Sequence, residues 1–330
     1  MAYKAPGKSH REGIDLVALM DMFPDEATAT RWFESVVWPE GRCCGHCGAM
    51  NTTRVPNAKP MPYWCPDCRS YFSVRTGTAI ERSKIPLRKW AIAIYLEMTS
   101  LKGVSSMKLH RDLGISQKSA WFMLHRIREA WMKEPQSGNG KMGGPVEVDE
   151  TYMGGRRKNM SNAKRKALAG TGRGAVGKAA IVGVKDRETK QVRATVVQST
   201  DRDTLHGFIG DHAEPGAKVY TDEAAAYRGL PGMDHESVKH SVAEYVRGKA
   251  HTNGIESFWA ILKRAHTGTF HKMSPKHLER YVRQFAGKHN LRESDTVAQL
   301  AAVAGALVGR RLLYRDLTAD NGLASGSRGS

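Results

Sequence analysis

Residues 146–153 read VEVDETYM, and this stretch decides which fold the larger part of the chain is expected to adopt. Side chains along a strand point to alternate faces, so Val146 and Val148 share one face while Glu147 and Asp149 share the other. The two valines are expected to pack against an apolar core. Asp149 would then point from the opposite face of a central strand. An edge strand with its acidic face in water is the alternative.

The segments that follow alternate between the hydrophobic patterns of strands and helices. Strands are expected at 178–184, 191–198, 218–221 and 235–238, and helices at 204–212, 255–265 and 275–289. The turn segment at 185–190 predicts that the strands at 178–184 and 191–198 form a hairpin. This order of elements predicts an α/β layered fold with a mixed β-sheet.

Two further carboxylates stand where predicted elements end or begin. Asp222 follows the strand pattern at 218–221, and Glu256 opens a helix in which Lys263 lies seven residues later, on the same helix face. Three converging carboxylates would hold two Mg²⁺ or Mn²⁺ ions, an arrangement suited to phosphodiester chemistry. Asp222 and Glu256 also have plainer interpretations. Asp222 would cap a short helix, and Glu256 would form a capping box with Asn253.

All five cysteines lie between residues 43 and 68, and this clustering favours a metal site over a disulfide framework. Two CxxC pairs are separated by 17 residues, a spacing that lets both fold over one tetrahedral Zn²⁺. Four thiolates complete the coordination, so the ion is expected to be structural. Cys43 is surplus, or it replaces Cys44 as a ligand. The predicted zinc ligands are Cys44, Cys47, Cys65 and Cys68.

A helix-turn-helix is predicted within residues 84–135. Residues 105–112 form its first helix, Gly114 lies in the turn, and Ser116 caps a second helix that starts at Gln117. The apolar stripe of the second helix leaves a polar face that we expect to enter the major groove of DNA. An ordinary helical hairpin is the alternative. The residues expected to contact DNA from this helix are Lys118, Ser119, His125 and Arg126.

Residues 155–178 contain eight Lys or Arg residues and no Asp or Glu. Such runs are commonly solvated loops, but this one directly follows the first carboxylate strand, so we expect it to hold the phosphate backbone of DNA. Its segment 172–178 imitates a nucleotide-binding GxxxxGK loop, yet Ala179 replaces the Ser or Thr that would hold Mg²⁺, so nucleotide binding is rejected. The basic residues expected to contact DNA are Arg156, Arg157, Lys158, Lys164, Arg165, Lys166, Arg173 and Lys178.

The overall charge favours a nucleic-acid partner. With 51 Lys and Arg against 33 Asp and Glu, the formal net charge is +18, which attracts a polyanion. The longest uncharged apolar stretches, such as 301–309, fall far short of the roughly 20 residues that span a bilayer. Residues 1–9 lack the apolar core of a signal peptide. We therefore expect a cytoplasmic protein that binds double-stranded DNA and no membrane.

Several blocks, read in order, resemble the DDE transposases of bacterial insertion sequences, in the branch with an N-terminal zinc ribbon and an ISXO-like transposase domain. The resemblance extends from about residue 23 to residue 292. The blocks that carry it most clearly are CGHCG (44–48), WCPDCRSYFSVRTGT (64–78), VDETYMGG (148–155), YTDEAAAY (220–227) and HTNGIESFWAILKR (251–264).

The resemblance implies an RNase H-like catalytic domain in which Asp149 and Asp222 are the first two acidic ligands. The third is Glu256 or, in another reading of the NxxE segment of the family, Asn253; we favour the carboxylate because it binds Mg²⁺ better than an amide does. Lys263 would orient a phosphate. The implied activity is metal-dependent cleavage at the terminal inverted repeats and joining of the 3′-hydroxyl to target DNA, by a homodimer or larger homo-oligomer.

These predictions define a multi-domain fold in which a zinc ribbon and a helical module precede an α/β catalytic domain. The expected modules are a helical segment (10–40), the zinc ribbon (41–80), the helix-turn-helix module (84–135), a linker (136–144), the RNase H-like domain (145–292), a C-terminal helix (293–316) and a disordered tail (317–330). Two other functions fit the same modules. One is a DNA-binding regulator without catalysis, and the other is an RNase H-like nuclease that does not join strands.

Overall fold

The structure is a computed structural model that describes residues 11–132, 140–155, 160–167, 177–238 and 251–323. The chain divides into two compact units. One comprises residues 1–133 with 291–319, and the other comprises residues 134–290 with 320–330. The C-terminal segment, expected from the sequence to be a separate helix, thus belongs to the same unit as the N-terminal helices.

The first unit begins with two short helices, α1 (Leu16–Met22) and α2 (Glu26–Val37). The side chain of Asp25 caps α2 by accepting a hydrogen bond from the amide of Thr28 at 2.7 Å. A small antiparallel sheet follows, made of β1 (Thr53–Arg54), β2 (Tyr63–Cys65) and β3 (Ser70–Phe72).

Three helices complete the N-terminal part of this unit: α3 (Leu87–Thr99), α4 (Ser106–Leu113) and α5 (Gln117–Arg128). Gly114 ends α4 in the left-handed conformation with φ of +58°, and the Ser116 side chain accepts a hydrogen bond from the Ser119 amide at the start of α5. The turn residue and the cap are therefore the predicted ones. The apolar stripe of α5 is buried as expected, through Ala120, Leu124 and Ile127.

The prediction of one continuous C-terminal helix is wrong. Helix α10 (Thr296–Ala306) is followed by an irregular segment and then by the short α11 (Tyr314–Thr318). The irregular segment pairs with a distant part of the chain, because the Ala79 amide donates to the Leu307 carbonyl at 2.9 Å. Gly309 adopts a φ of +70°, which favours glycine and directs the chain out of the helix.

The second unit is built on a five-stranded sheet. Its strands are β4 (Val146–Met153), β5 (Ala179–Asp186), β6 (Val192–Val197), β7 (Lys218–Asp222) and β8 (Asp234–Val238). The strand order is β6-β5-β4-β7-β8; β4, β5 and β6 are antiparallel, and β4, β7 and β8 are parallel. The mixed sheet is confirmed. Since β4 lies at its centre, the edge-strand alternative is excluded.

Helices cover both faces of this sheet. Helix α7 (Arg202–His212) packs on the face that carries Val146 and Val148. On the other face lie α8 (Asn253–Ala265) and α9 (Pro275–Asn290), and a short helix, α6 (Asn162–Ala167), follows β4 in the chain. Two separate apolar cores result, one on each side of the sheet. Among the described residues, no helix combines the length and the apolar character needed to cross a membrane.

Candidate active site

The central parallel pair of strands brings two of the predicted carboxylates together. Glu147 of β4 is paired with Tyr220 of β7, and two residues further along each strand stand Asp149 and Asp222. Side chains two residues apart on a strand share a face, so both aspartates lie on the face that α8 covers. The Oδ1 atom of Asp222 accepts a hydrogen bond from the Ala224 amide at 3.0 Å, which fixes this carboxylate where β7 ends.

Helix α8 brings the third carboxylate to the same face. Its residues Ile255 and Trp259 are buried against the sheet. The close approach depends on Gly183, which is the strand partner of Asp149: a Cβ atom at Gly183 would lie 2.7 Å from the Trp259 ring. Glu256 follows Ile255 directly and is exposed at the start of the helix.

The charges of the other two predicted ligands act on Asp149. Burial, followed by the charges of Glu150, Asp222 and Glu256, raises the pKa of Asp149 to about 7. Carboxylates that raise the pKa of a neighbour in this way create a region of strongly negative potential. A divalent cation relieves such a potential, and three carboxylates are the oxygen ligands that Mg²⁺ and Mn²⁺ prefer. The residues therefore fit the cations that the family resemblance implies.

The three carboxylates are not drawn into a tight cluster. Within the described ranges, the four cysteines form the one group of three or more His, Cys, Asp or Glu side chains close enough to hold an ion.

The contacts of Glu256 differ from those of a capping box. Helix α8 begins at Asn253 with Thr252 as its N-cap, and the Thr252 side chain makes no capping hydrogen bond to the helix amides. The Thr252 hydroxyl instead donates to Oε1 of Glu256 at 2.9 Å. The capping-box interpretation of Asn253 and Glu256 is therefore wrong. Lys263 is exposed on the same helix, about 10 Å further along its axis.

Two residues that the sequence analysis missed adjoin these carboxylates. The hydroxyl of Tyr227, which is fully buried, donates a hydrogen bond to Oε2 of Glu150. Burial raises the pKa of Glu150, and burial together with the neighbouring carboxylates raises the pKa of Tyr227. The sequence contains one signal for Glu150. It lies on the same strand face as Val146 and Val148, where an apolar residue is expected.

The four predicted zinc ligands converge in the first unit. The sulfur atoms of Cys44, Cys47, Cys65 and Cys68 all lie within 4.8 Å of one another. The Cys44–Cys68 and Cys47–Cys65 separations of 3.6 and 3.7 Å are close to the roughly 3.8 Å between thiolates on a tetrahedral Zn²⁺. Cys43 is outside the cluster, which decides between the two alternatives for the first ligand. The geometry fits one closed, structural Zn²⁺ site.

The polar face of α5 is less accessible than the sequence suggests. His125 is fully buried and Arg126 is 9% exposed, so the prediction that these two side chains face DNA is wrong in this conformation. Arg126 stacks on the Phe122 ring, and Tyr314 of α11 packs against Phe122 with ring centroids 5.5 Å apart. Lys118 remains exposed, although its ammonium group lies 4.5 Å from the centre of the Tyr314 ring.

The basic loop is described only in part. Arg165 and Lys166 on α6 and Lys178 before β5 are exposed, as a role in holding phosphates requires. Arg156, Arg157, Lys158 and Arg173 lie outside the described residues, as does the side chain of Lys164.

Comparisons with known proteins relate the second unit to a transposase domain. Residues 141–290, which contain the whole described sheet with α7, α8 and α9, match the family of ISXO2-like transposase domains. An uncharacterized protein in transposable element ISH50 of Halobacterium salinarum is 28% identical over 275 residues, a match that covers 80% of this chain and 90% of the relative.

Residues 141–290, which carry the mixed sheet, are thus similar to a transposase domain of the ISXO2-like class. The comparisons support the resemblance to the transposases of insertion sequences that the sequence blocks imply.

Proposed function

We propose that this protein cleaves the DNA ends of an insertion sequence and joins the exposed 3′-hydroxyl to target DNA. The observation that supports the proposal is that the charges of Asp222 and Glu256 both act on Asp149, which lies in the central strand of the mixed sheet. Burial and then the charges of Glu150, Asp222 and Glu256 raise the pKa of Asp149, and this concentration of carboxylates favours a site that binds divalent cations. Asp149, Asp222 and Glu256 would hold two Mg²⁺ or Mn²⁺ ions, which activate the attacking oxygen and stabilise the departing one.

The chain's own residues have separate tasks in this proposal. Asp149 is half-buried in the central strand and fixes the position of the reacting phosphate relative to the sheet. Glu256 and Lys263 share one face of α8, so the exposed ammonium group of Lys263 contacts a phosphate adjacent to the scissile one. Asn253 lies one turn before Glu256 and is the alternative third ligand. We favour Glu256 because its charge acts on Asp149.

DNA contacts are assigned to surfaces outside the carboxylate site. The exposed Lys118, with Ser119 beside it at the start of α5, would contact the element ends together with the zinc ribbon. Arg165, Lys166 and Lys178 would bind phosphates without sequence preference, because they are exposed cations near β4 and β5 in the chain. Since two element ends must be joined to one target, the active species would be at least a homodimer.

One assay tests the proposed activity against both alternatives. The purified protein is incubated with labelled element-end DNA, a supercoiled plasmid and either Mg²⁺ or Mn²⁺. Cleavage with joining supports the proposal, cleavage alone indicates a nuclease, and binding alone indicates a regulator. Asp149→Asn should retain the affinity for end DNA and lose at least about 1,000-fold in cleavage rate, the order expected when a key electrostatic group is removed.

A matched substitution controls for nonspecific effects. Asp203→Asn removes a carboxylate from the exposed first turn of α7, which packs on the opposite face of the sheet. Its cleavage and joining should equal those of the parent protein. Normal strand transfer by Asp149→Asn would refute the assignment of the site.

A further inference from the structure

Glu147 is a buried carboxylate that the proposed chemistry does not use. It lies on β4 two residues before Asp149 and on the same strand face, and it is 2% exposed. A buried carboxylate requires partners that compensate for its lost hydration. Its partners therefore indicate what the side chain does in the fold.

Those partners belong to two other segments that meet at the start of α8. Oε2 of Glu147 accepts a hydrogen bond from the Ile255 backbone amide at 2.9 Å. Oε1 accepts a hydrogen bond from Nε of Arg187 at 2.8 Å, and Nδ1 of His251 lies 3.4 Å from the same oxygen. Ile255 directly precedes Glu256, so this hydrogen bond ends one residue away from the proposed third ligand.

The β5–β6 hairpin reinforces the same junction. The guanidinium group of Arg187 also donates a hydrogen bond to the His251 carbonyl, and the Lys185 ammonium group donates to the Gly254 carbonyl at 3.1 Å. The approach is close enough to require glycine in α8: a Cβ atom at Gly254 would lie 2.6 Å from Oε2 of Glu147. One carboxylate therefore fixes the first turn of α8 directly against β4.

We propose that Glu147 is a positioning residue that holds the first turn of α8 against β4 and thereby fixes the position of Glu256 relative to Asp149, on which cation binding by both side chains depends. The inference rests on the proposed function, since it assigns a task to a residue outside the metal ligands. A carboxylate at a helix N-terminus also interacts favourably with the free amides of the first turn. Glu147 thus forms the connection between the strand of the first ligand and the helix of the third.

The geometry makes Glu147→Gln the informative variant. The amide oxygen of glutamine still accepts the Ile255 hydrogen bond, while the charge that pairs with Arg187 is removed. Removing one member of a buried ion pair outright leaves the other uncompensated and is more damaging. Arg187→Lys is the second variant, because it keeps the positive charge but loses the guanidinium group that contacts both Glu147 and His251.

The first measurement requires no metal. Amide hydrogen exchange in Mg²⁺-free protein with its zinc retained should show faster exchange at the Ile255 amide and in the first turn of α8 in Glu147→Gln, by about tenfold. Exchange in β5 and β6 should remain unchanged. Arg187→Lys should show a smaller change in the same direction.

The second measurement concerns the cation itself. Titration with Mn²⁺, followed by electron paramagnetic resonance, should show roughly tenfold weaker binding to Glu147→Gln than to the parent. Cleavage of element-end DNA should require correspondingly more Mn²⁺ and should approach the parental rate at saturation. Such recovery separates a positioning role from general unfolding, which added cation does not correct.

Glu188→Gln provides the matched control, because Glu188 is an exposed carboxylate on the same hairpin. It should leave exchange, Mn²⁺ binding and cleavage unchanged. Parental Mn²⁺ affinity in folded Glu147→Gln and Arg187→Lys would overturn the inference. If Asp149→Asn is inactive in the same experiments, only the positioning role of Glu147 is refuted and the proposed function stands. If Asp149→Asn is active, the proposed function itself is refuted.

Discussion

Asp149 combines a half-buried position with the charges of three acidic neighbours, and this combination has a measurable cost in stability. Its pKa of about 7 in the folded chain stands well above the ordinary value of 3.8. The folded state therefore binds the proton more tightly than the unfolded state does. The stabilisation from this proton is present below pH about 4 and is lost as the pH rises through about 7.

Neutralising this side chain should stabilise the protein without Mg²⁺ at alkaline pH. We expect Asp149→Asn to raise the free energy of unfolding at pH 8 by roughly 1–3 kcal/mol, given about 1.4 kcal/mol per unit of pKa. Urea unfolding in Mg²⁺-free buffer, with zinc retained, measures the difference. The gain should disappear at pH 4, where the parent carboxyl is protonated. Equal gains at both pH values would contradict the electrostatic explanation.

Glu256 and Asn253 compete for the role of third ligand, and single substitutions distinguish them. Glu256→Gln should weaken Mn²⁺ binding by tenfold or more, because it removes a full charge from the set of ligands. Asn253→Ala, one turn earlier on α8, should change Mn²⁺ affinity by less than about threefold. The reverse ranking would assign the site to the amide and leave Glu256 as the partner of Thr252.

At the scale of elements, the ribbon depends on its cysteines because its strands are too short to form a core of their own. Cys65 is fully buried in the cluster, whereas Cys43 lies outside it. Cys65→Ser should lose the bound zinc and lower the melting temperature of the first unit, since the energy of zinc binding contributes to folding. Cys43→Ser should retain one zinc per chain. Zinc released on denaturation and thermal unfolding measure both results.

The packing of α8 on the sheet depends on the absence of a side chain at Gly183. Gly183→Ala places a Cβ atom 2.7 Å from the Trp259 ring and 3.2 Å from Ile255, so the helix must move away from β5. We expect a loss of about 1–3 kcal/mol in unfolding free energy, typical of overpacking. Cleavage should fall as well, because Glu256 moves with the helix.

A glycine in α7 supplies the contrast. No atom lies within 4 Å of a Cβ built at Gly210, so Gly210→Ala should stabilise the protein by up to about 1 kcal/mol through helix propensity. Urea unfolding should show a lower free energy of unfolding for Gly183→Ala and a higher one for Gly210→Ala than for the parent protein. The same sign for both would mean that Trp259 does not limit the packing at Gly183.

At the scale of the whole molecule, the net charge of +18 predicts DNA binding that weakens steeply with salt. Replacing both Arg165 and Lys166 with Gln should lower the affinity for all DNA sequences alike. It should also reduce the slope of log affinity against log salt by about 2, one for each phosphate contact. Fluorescence anisotropy from 50 to 300 mM NaCl measures both effects.

The control for this charge removal is Lys190→Gln, an exposed lysine of the β5–β6 hairpin that we do not assign to DNA binding. It should leave the slope unchanged. A slope that is equally unaffected by the double substitution would remove α6 from the DNA-binding surface.

Local patterns in the sequence determined much of this protein. The alternation in VEVDETYM, the two CxxC pairs, Gly114 with Ser116 and the phase of α8 each depend on residues close together in the chain. These local patterns therefore predicted strand β4, the grouping of the four cysteines, the turn before α5 and the apolar face of α8. Lys263, by contrast, was placed only on a helix face, and its contact with phosphate stays a prediction.

The tertiary structure decided what depends on residues far apart in the chain. The burial of His125 and Arg126, the packing of Tyr314 on Phe122 and the inclusion of the C-terminal segment in the first unit follow from long-range packing, which periodicity does not encode. The same holds for the Tyr227–Glu150 contact and for Glu147, whose partners at Arg187 and Ile255 are 40 and 108 residues away. A pattern shows which face a side chain occupies, whereas only folding determines which distant group meets it there.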